Sequence, residues 1–204
     1  MALENKLDGN YITILGGKLC QRVKEGTEGS IKRTNKIGKI VSEKFYDSFT
    51  GKLVDIKTAD GAYGKTWNFH FQDKAEIYVL QLSYNNGFAM ALLKTLPNAD
   101  LTKEMKVSPF TKEVDGKNKS TLFVNQDGTA LKHYYTKEHP NGLPEWKQIT
   151  VKGEKVWDST DQLKFLEDMV KTTIVPKLAG SKIEAQVSQA VEEPVELETE
   201  KLEF

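Results

Sequence analysis

The clearest signal in the chain is a period-two alternation of apolar and polar positions. In residues 64–73, Lys65, Trp67, Phe69 and Phe71 share one face, and Thr66, Asn68, His70 and Gln72 share the other. That is the pattern of a half-buried strand. Residues 76–84 repeat it with Tyr78, Leu80, Leu82 and Tyr84, after a turn at Asp73-Lys74. Residues 52–58 alternate as well, with Leu53, Asp55 and Lys57 against Val54, Ile56 and Thr58, and Asp60-Gly61 marks the following hairpin turn. Upstream, 11–15 and 18–24 read as strands interrupted by Gly16-Gly17, which favours a bulge or sharp bend. Residues 25–36 read as a mobile polar loop, and 37–46 as a further strand that turns near 47–51. Downstream, strands are expected near 105–114, 121–124 and 131–136, divided by Asp115-Gly116 and Asp127-Gly128. Residues 139–144 form a rigid loop, and 146–156 a last short hairpin with Gly153 in its turn.

Two stretches switch to a helical period. Phe88, Leu92 and Leu96 recur at four-residue spacing, and Pro97 ends that segment. Leu163, Leu166, Val170 and Ile174 form an apolar stripe after a capping-box pattern, Ser159-Thr160-Asp161-Gln162, with Pro176 as the expected stop. This order predicts a mainly β fold with minor α: an elaborated OB-like Greek-key barrel with one connecting helix and one C-terminal helix. A generic α+β sandwich is the alternative. The body spans residues 1–178. Residues 179–204, acidic and poor in aromatics, are expected to be a disordered tail.

Charge divides the chain along the same boundary. The formal net charge is zero, but residues 183–204 hold seven glutamates against Lys201, a net of −6, which leaves +6 on the rest. A basic body suits a polyanionic partner, and an acidic tail suits a competing or recruiting role; acidic tails also serve simply as solubility devices. No apolar run approaches the ~18–20 residues of a bilayer span. The first residues, Met1-Ala2-Leu3-Glu4-Asn5-Lys6, lack a secretory pattern. One cysteine, Cys20, excludes an internal disulfide framework and a cysteine-based zinc site, and three histidines leave little for a histidine-rich metal centre. The expectation is a soluble cytoplasmic protein with no metal and no cofactor.

Motifs for catalysis are missing. Gly16-Gly17-Lys18 lacks the upstream glycine of a phosphate-binding loop, and there is no G-x-G-x-x-G. Gly26-x-x-Gly29 does not join two helices, and no zinc-deaminase signature occurs. Cys20 reads as a buried, inert thiol. The chain is not expected to be an enzyme.

Single-stranded nucleic acid needs cations that follow phosphates and flat side chains on which bases stack. Arg22 and Lys24 alternate with Lys18 along one strand, and Lys32, Arg33, Lys36 and Lys44 follow closely. Tyr46 and Phe49 lie near one turn; Lys57, Tyr63, Lys65 and Trp67 flank a glycine-rich hairpin tip. Phe69 and Phe71 are assigned to the core, whereas Tyr46, Phe49, Tyr63 and Trp67 are expected to stack on bases. A further cluster, Lys132-His133-Tyr134-Tyr135-x-Lys137, mixes the same residue types.

The tail runs Val191-Glu192-Glu193-Pro194-Val195-Glu196-Leu197-Glu198-Thr199-Glu200-Lys201-Leu202-Glu203-Phe204. It resembles the C-terminal tails of bacterial and phage single-stranded DNA-binding proteins, which are acidic and finish on a hydrophobic residue, usually Phe. The body looks more like the divergent phage versions, in which one OB-fold is elaborated by extra strands and helices. The resemblance implies sequence-tolerant binding of single-stranded DNA in phage replication or recombination, in the host cytoplasm. It also implies recruitment of replication or recombination proteins through Glu200, Leu202, Glu203 and Phe204. The alternative is a structural or adaptor protein, such as a virion component, whose tail is a solubility or docking device. The residues do not separate DNA from RNA, nor a protective coat from an annealing role, and they leave oligomeric state open.

Overall fold

The computed structural model describes residues 10–35, 37–114 and 117–179. Its strands are β1 (Asn10–Leu15), β2 (Lys18–Val23), β3 (Ile31–Thr34), β4 (Ile40–Tyr46), β5 (Phe49–Gly61), β6 (Gly64–Asp73), β7 (Glu76–Ser83), β8 (Glu104–Val114), β9 (Lys117–Gln126), β10 (Thr129–Ala130), β11 (Lys147–Val151) and β12 (Glu154–Asp158). The helices are α1 (Gly87–Thr95) and α2 (Thr160–Met169). The fold is thus mainly β with two helices, the first connecting β7 to β8. One sheet runs in the order β10-β9-β8-β5-β6-β7-β1-β2-β4-β3, and β11-β12 form a separate ribbon. Only the β1–β7 neighbours are parallel among these pairs; the rest are antiparallel.

The large sheet curls into an OB-like barrel left open at one seam. The β1–β2 turn meets β8: a Cβ built on Gly17 would lie 3.1 Å from Thr111 Oγ1. Gly16 and Gly17 have φ of +59° and +77°, so this tight two-residue turn needs glycine twice, once for conformation and once also for space. No ladder joins β2 to β8.

The core follows the alternation. Trp67, Phe69 and Phe71 of β6 point inward with Leu80 and Leu82 of β7, and Leu92 and Leu93 of α1 close the barrel over Leu122 and Val124 of β9. In β5 the expected faces hold only in part. The register on β6 slips between Leu53 and Asp55, so one extra residue changes the parity of the strand. Leu53 and Ile56 both point inward, while Asp55 and Lys57 stay outside.

Several local expectations are corrected. Residues 31–34 are not loop but an edge strand on β4. Residues 131–136 are not a strand: Leu131 N–H still donates to the Val124 carbonyl of β9, but Tyr134 N–H donates to the Lys94 carbonyl and Thr136 N–H to the His139 carbonyl, both outside the sheet. The tip of the β5–β6 hairpin is Ala62-Tyr63 rather than Asp60-Gly61, because Gly61 pairs with Gly64. Ser159 makes no capping bond; the Asp158 carboxylate accepts from Thr160 N–H instead. Pro176 does not stop the last helix. A π-turn, Val170–Ile174, precedes it, in which Val175 N–H reaches back to the Val170 carbonyl. The wider turn accommodates a ring that would crowd a normal one. The helix continues to Ala179 and buries Leu178 beside Leu163, Leu166, Val170 and Ile174.

Candidate nucleic-acid interface

The basic residues expected on one strand face fall on a wing formed by β2, β4 and β3. Register splits them. Arg22 opposes Glu43, and Arg33 lies two positions along, so both share one face. Lys32 opposes Ser42, which shares the other face with Lys44 and Tyr46. Lys32 and Lys44 therefore face away from Arg22 and Arg33. Several of these charges are also neutralised. Arg33 donates to both carboxylate oxygens of the buried Glu43, at 2.8 and 2.9 Å, and holds that carboxyl below its usual range. Lys32 meets Glu25 at 2.6 Å and Lys18 meets Asp47 at 3.1 Å. Arg22 and Lys24 are exposed and Lys44 is half-buried. Lys36 lies outside the described residues. Cys20 sits under this wing, its thiol pushed up to about 11 by burial and by Glu43, which makes it a poor nucleophile.

The aromatics divide differently. Tyr63 is fully open at 94% exposure on the β5–β6 tip. Tyr46 is 39% exposed, and its hydroxyl donates to Gln21 Oε1. Phe49 is half-buried: its ring covers Gly51 and packs on Phe71 and Tyr78 at 5.7 and 5.0 Å, so it is not free to stack. Trp67 is 1% exposed, which overturns its expected role. It shares the inward face with Phe69 and Phe71, stacks on Tyr84 at 5.3 Å, and donates its Nε1–H to the Tyr84 carbonyl. Lys57 is held by Asp55 at 2.9 Å.

Lys65 leads to the other side of the molecule. Its ammonium meets Glu167 of α2 at 2.6 Å and lies 4.5 Å from the centre of the Tyr84 ring. Burial pushes the Glu167 carboxyl up, but bonds from Lys171, Lys65 and the Tyr84 hydroxyl outweigh it and hold the group at about 2. Burial, with the same carboxylate, raises Tyr84 far above its normal range.

Two troughs meet here at Asn85, on either side of the first turn of α2. The smaller, about 660 Å³, is bounded by Tyr63, Lys65, Tyr84, Lys164 and Glu167. The larger, about 950 Å³, runs between α1, β9 and the loop before β11. Its floor is apolar, with Met90, Ala91, Leu122 and Leu131, and its rim carries Lys94, Lys132 and Lys137 against Glu145. Phe123 and Trp146 stand in it half-exposed. Trp146 is fixed edge-on: its Nε1–H donates to the buried Gln162 Oε1 at 2.9 Å, and Gln162 donates in turn to the Pro144 carbonyl. Lys94, Lys132, Lys137 and Lys164 make no ion pair among the described residues. His133, half-buried beside Lys94, is lowered by burial and by that charge, so it is neutral at pH 7.

Of the expected site residues, only Tyr63 and Lys65 border this double trough. Phe123, Trp146, Lys94 and Lys164 were not legible as a site, because α1, β9 and α2 bring them together from distant parts of the chain. The Lys132–Lys137 cluster was visible as a mixture of cations and aromatics; Tyr135 is in fact buried and Tyr134 exposed. Among the described residues, no group of His, Cys, Asp and Glu is arranged to hold a metal ion, and no helix is long and apolar enough to cross a membrane. No family model, curated protein or solved structure matches the chain. Glu200, Leu202, Glu203 and Phe204, the expected partner-binding residues, lie outside the described residues.

Proposed function

We propose that the chain is a non-catalytic, sequence-tolerant single-stranded DNA-binding protein, serving phage DNA replication or recombination in the host cytoplasm. The observation that carries this reading is the double trough beside α2: Lys94, Lys132, Lys137 and Lys164, in no ion pair among the described residues, rim an apolar floor on which Phe123 and Trp146 present their rings. A strand laid along it would set phosphates against Lys94, Lys132, Lys137 and Lys164 and bases against Trp146, Phe123 and Tyr63. Stacking on such rings contributes ~1–3 kcal/mol per base and tolerates any sequence. The acidic tail ending in Phe204 then recruits replication or recombination proteins.

A second reading, a virion-associated structural or adaptor protein, draws on the wing. There Lys18, Lys32 and Arg33 are each tied to a carboxylate, as expected of an ordinary solvated surface. A titration of fluorescent oligo-dT at several salt concentrations, with RNA and duplex competitors, separates the two. Single-strand binding should weaken with salt with a log–log slope near −0.7 for each phosphate contacted, so about −3 for four lysines. Binding no stronger than that of albumin at low salt would leave the adaptor reading.

A further inference from the structure

The β11–β12 ribbon is an outlier in the fold. It belongs to no larger sheet, and nearly all of its residues are exposed. Ile149, Val151 and Val156 share one face at 40, 47 and 43% exposure. A two-stranded ribbon by itself is marginally stable in water. Its tip is a two-residue turn, Lys152-Gly153, with φ of +51° and +86°. The pair next to such a turn, Val151 with Glu154, is hydrogen-bonded inward, as is Ile149 with Val156 two steps on. Gln148 and Thr150 therefore turn their backbone N–H and C=O groups outward, along the free edge of β11.

Free strand edges are normally guarded by charge or shortness, and the other edges here are. β10 has two residues. β3 reads Ile-Lys-Arg-Thr, so a second β3 centred on it would set Lys32 against Arg33. β12 centred on Val156 would set Glu154 against Asp158. β11 differs. Centred on Ile149, an antiparallel copy of Lys-Gln-Ile-Thr-Val sets Gln148 against Thr150, Lys147 against Val151 and Ile149 against its own counterpart, with no like charges opposed.

We propose that a second copy of this chain pairs with β11 about a two-fold axis through Ile149, making a four-stranded sheet from two ribbons. Both Gln148–Thr150 pairs then exchange backbone hydrogen bonds in the alternation that the ribbon's own register requires. Across the four strands, Val156, Ile149, Ile149 of the second copy and its Val156 form one apolar row. The contact is isologous and closed, so it yields a dimer and not a filament.

The full chain carrying Ile149→Cys tests this directly. Directly opposed residues of a non-hydrogen-bonded pair have Cβ atoms about 4.5–5.5 Å apart, close to disulfide reach, and the only native thiol, Cys20, is buried. Mild oxidation should give a covalent dimer, whereas Val156→Cys should stay monomeric. Sedimentation should show wild type passing from monomer to dimer with concentration and Ile149→Lys remaining monomeric; a far-ultraviolet spectrum like that of wild type confirms that the exposed substitution leaves the fold intact. A wild-type monomer at every concentration, with no cross-link, overturns the proposal. So does a mixture of the singly substituted Ile149→Cys and Val156→Cys chains that cross-links only as the mixed pair, which would mean that β11 pairs with β12 of the next copy. If the thiol of Ile149→Cys is shielded from alkylation in the monomer, and deleting residues 183–204 exposes it, the chain's own tail occupies this edge and the proposal is overturned.

Discussion

The wing and the double trough carry similar numbers of cations, yet they differ in what surrounds those cations. On the wing, Glu43 of β4 and the loop acids Glu25 and Asp47 each absorb one positive charge, while Arg22, Lys24 and Lys44 make no ion pair among the described residues. In the trough, Lys94, Lys132, Lys137 and Lys164 come from a helix, a loop and a second helix, and none meets a carboxylate among the described residues. Cation density along a sequence therefore says little about field; what decides is whether the fold sets acids beside the cations.

Four measurements sharpen that contrast. Trp67 supports the trough from beneath through Tyr84, so Trp67→Ala should remove about 3–5 kcal/mol of stability in a urea titration. If the expected stacking role had been right, it would weaken oligo-dT binding with little loss of stability.

Glu167 ties α2, one wall of the trough, to the barrel. Its carboxyl is held at about 2 against an ordinary 4.5. A lowered folded-state value contributes stability that is complete above the unfolded value and is lost as pH falls toward the folded one. Wild type should therefore lose about 3 kcal/mol between pH 4.5 and pH 2, at ~1.4 kcal/mol per pH step. Glu167→Gln should lack that slope and be less stable at pH 7. Parallel denaturation curves for the two proteins across this range would show that the carboxylate contributes nothing.

Binding effects come next in size. Trp146→Ala and Phe123→Ala should each weaken oligo-dT by about 1–3 kcal/mol, while Trp146→Phe stays near wild type because a flat ring remains. Equal losses from Tyr46→Ala would move the interface back to the wing. The smallest effect separates the two sets of cations. Lys132→Gln should flatten the salt dependence by about 0.7 of a log unit per log unit, and Lys32→Gln, whose charge is already matched by Glu25, should leave it unchanged.

The sequence was most informative where each residue's fate depended on near neighbours. Alternation located β6, β7 and their inward aromatics, and apolar residues three or four apart located both helices. The same rule contained the answer for Trp67, which alternates with Phe69 and Phe71; nearness to a hairpin tip was the weaker signal. Parity failed in β5 because one inserted residue at the Leu53–Asp55 slip leaves no mark in composition. Strand β3 was hidden because Lys32 and Arg33 look like loop residues, although on an edge strand they are what prevents unwanted pairing. The trough was illegible for another reason: Lys94, Phe123, Trp146 and Lys164 are joined only by tertiary packing.

The seam between β2 and β8 has a consequence for how the barrel can deform. A cylinder closed all round by backbone ladders has a circumference set by strand count and stagger. Here closure rests on packing alone, with Gly17 set against Thr111. The circumference can widen at that line without breaking any rung of a strand ladder, in the way a split ring opens at its gap. A bulkier residue at position 17 acts as a wedge in that gap, and the strain it introduces passes around the hoop to the opposite wall, where β6 carries Trp67 behind Tyr84.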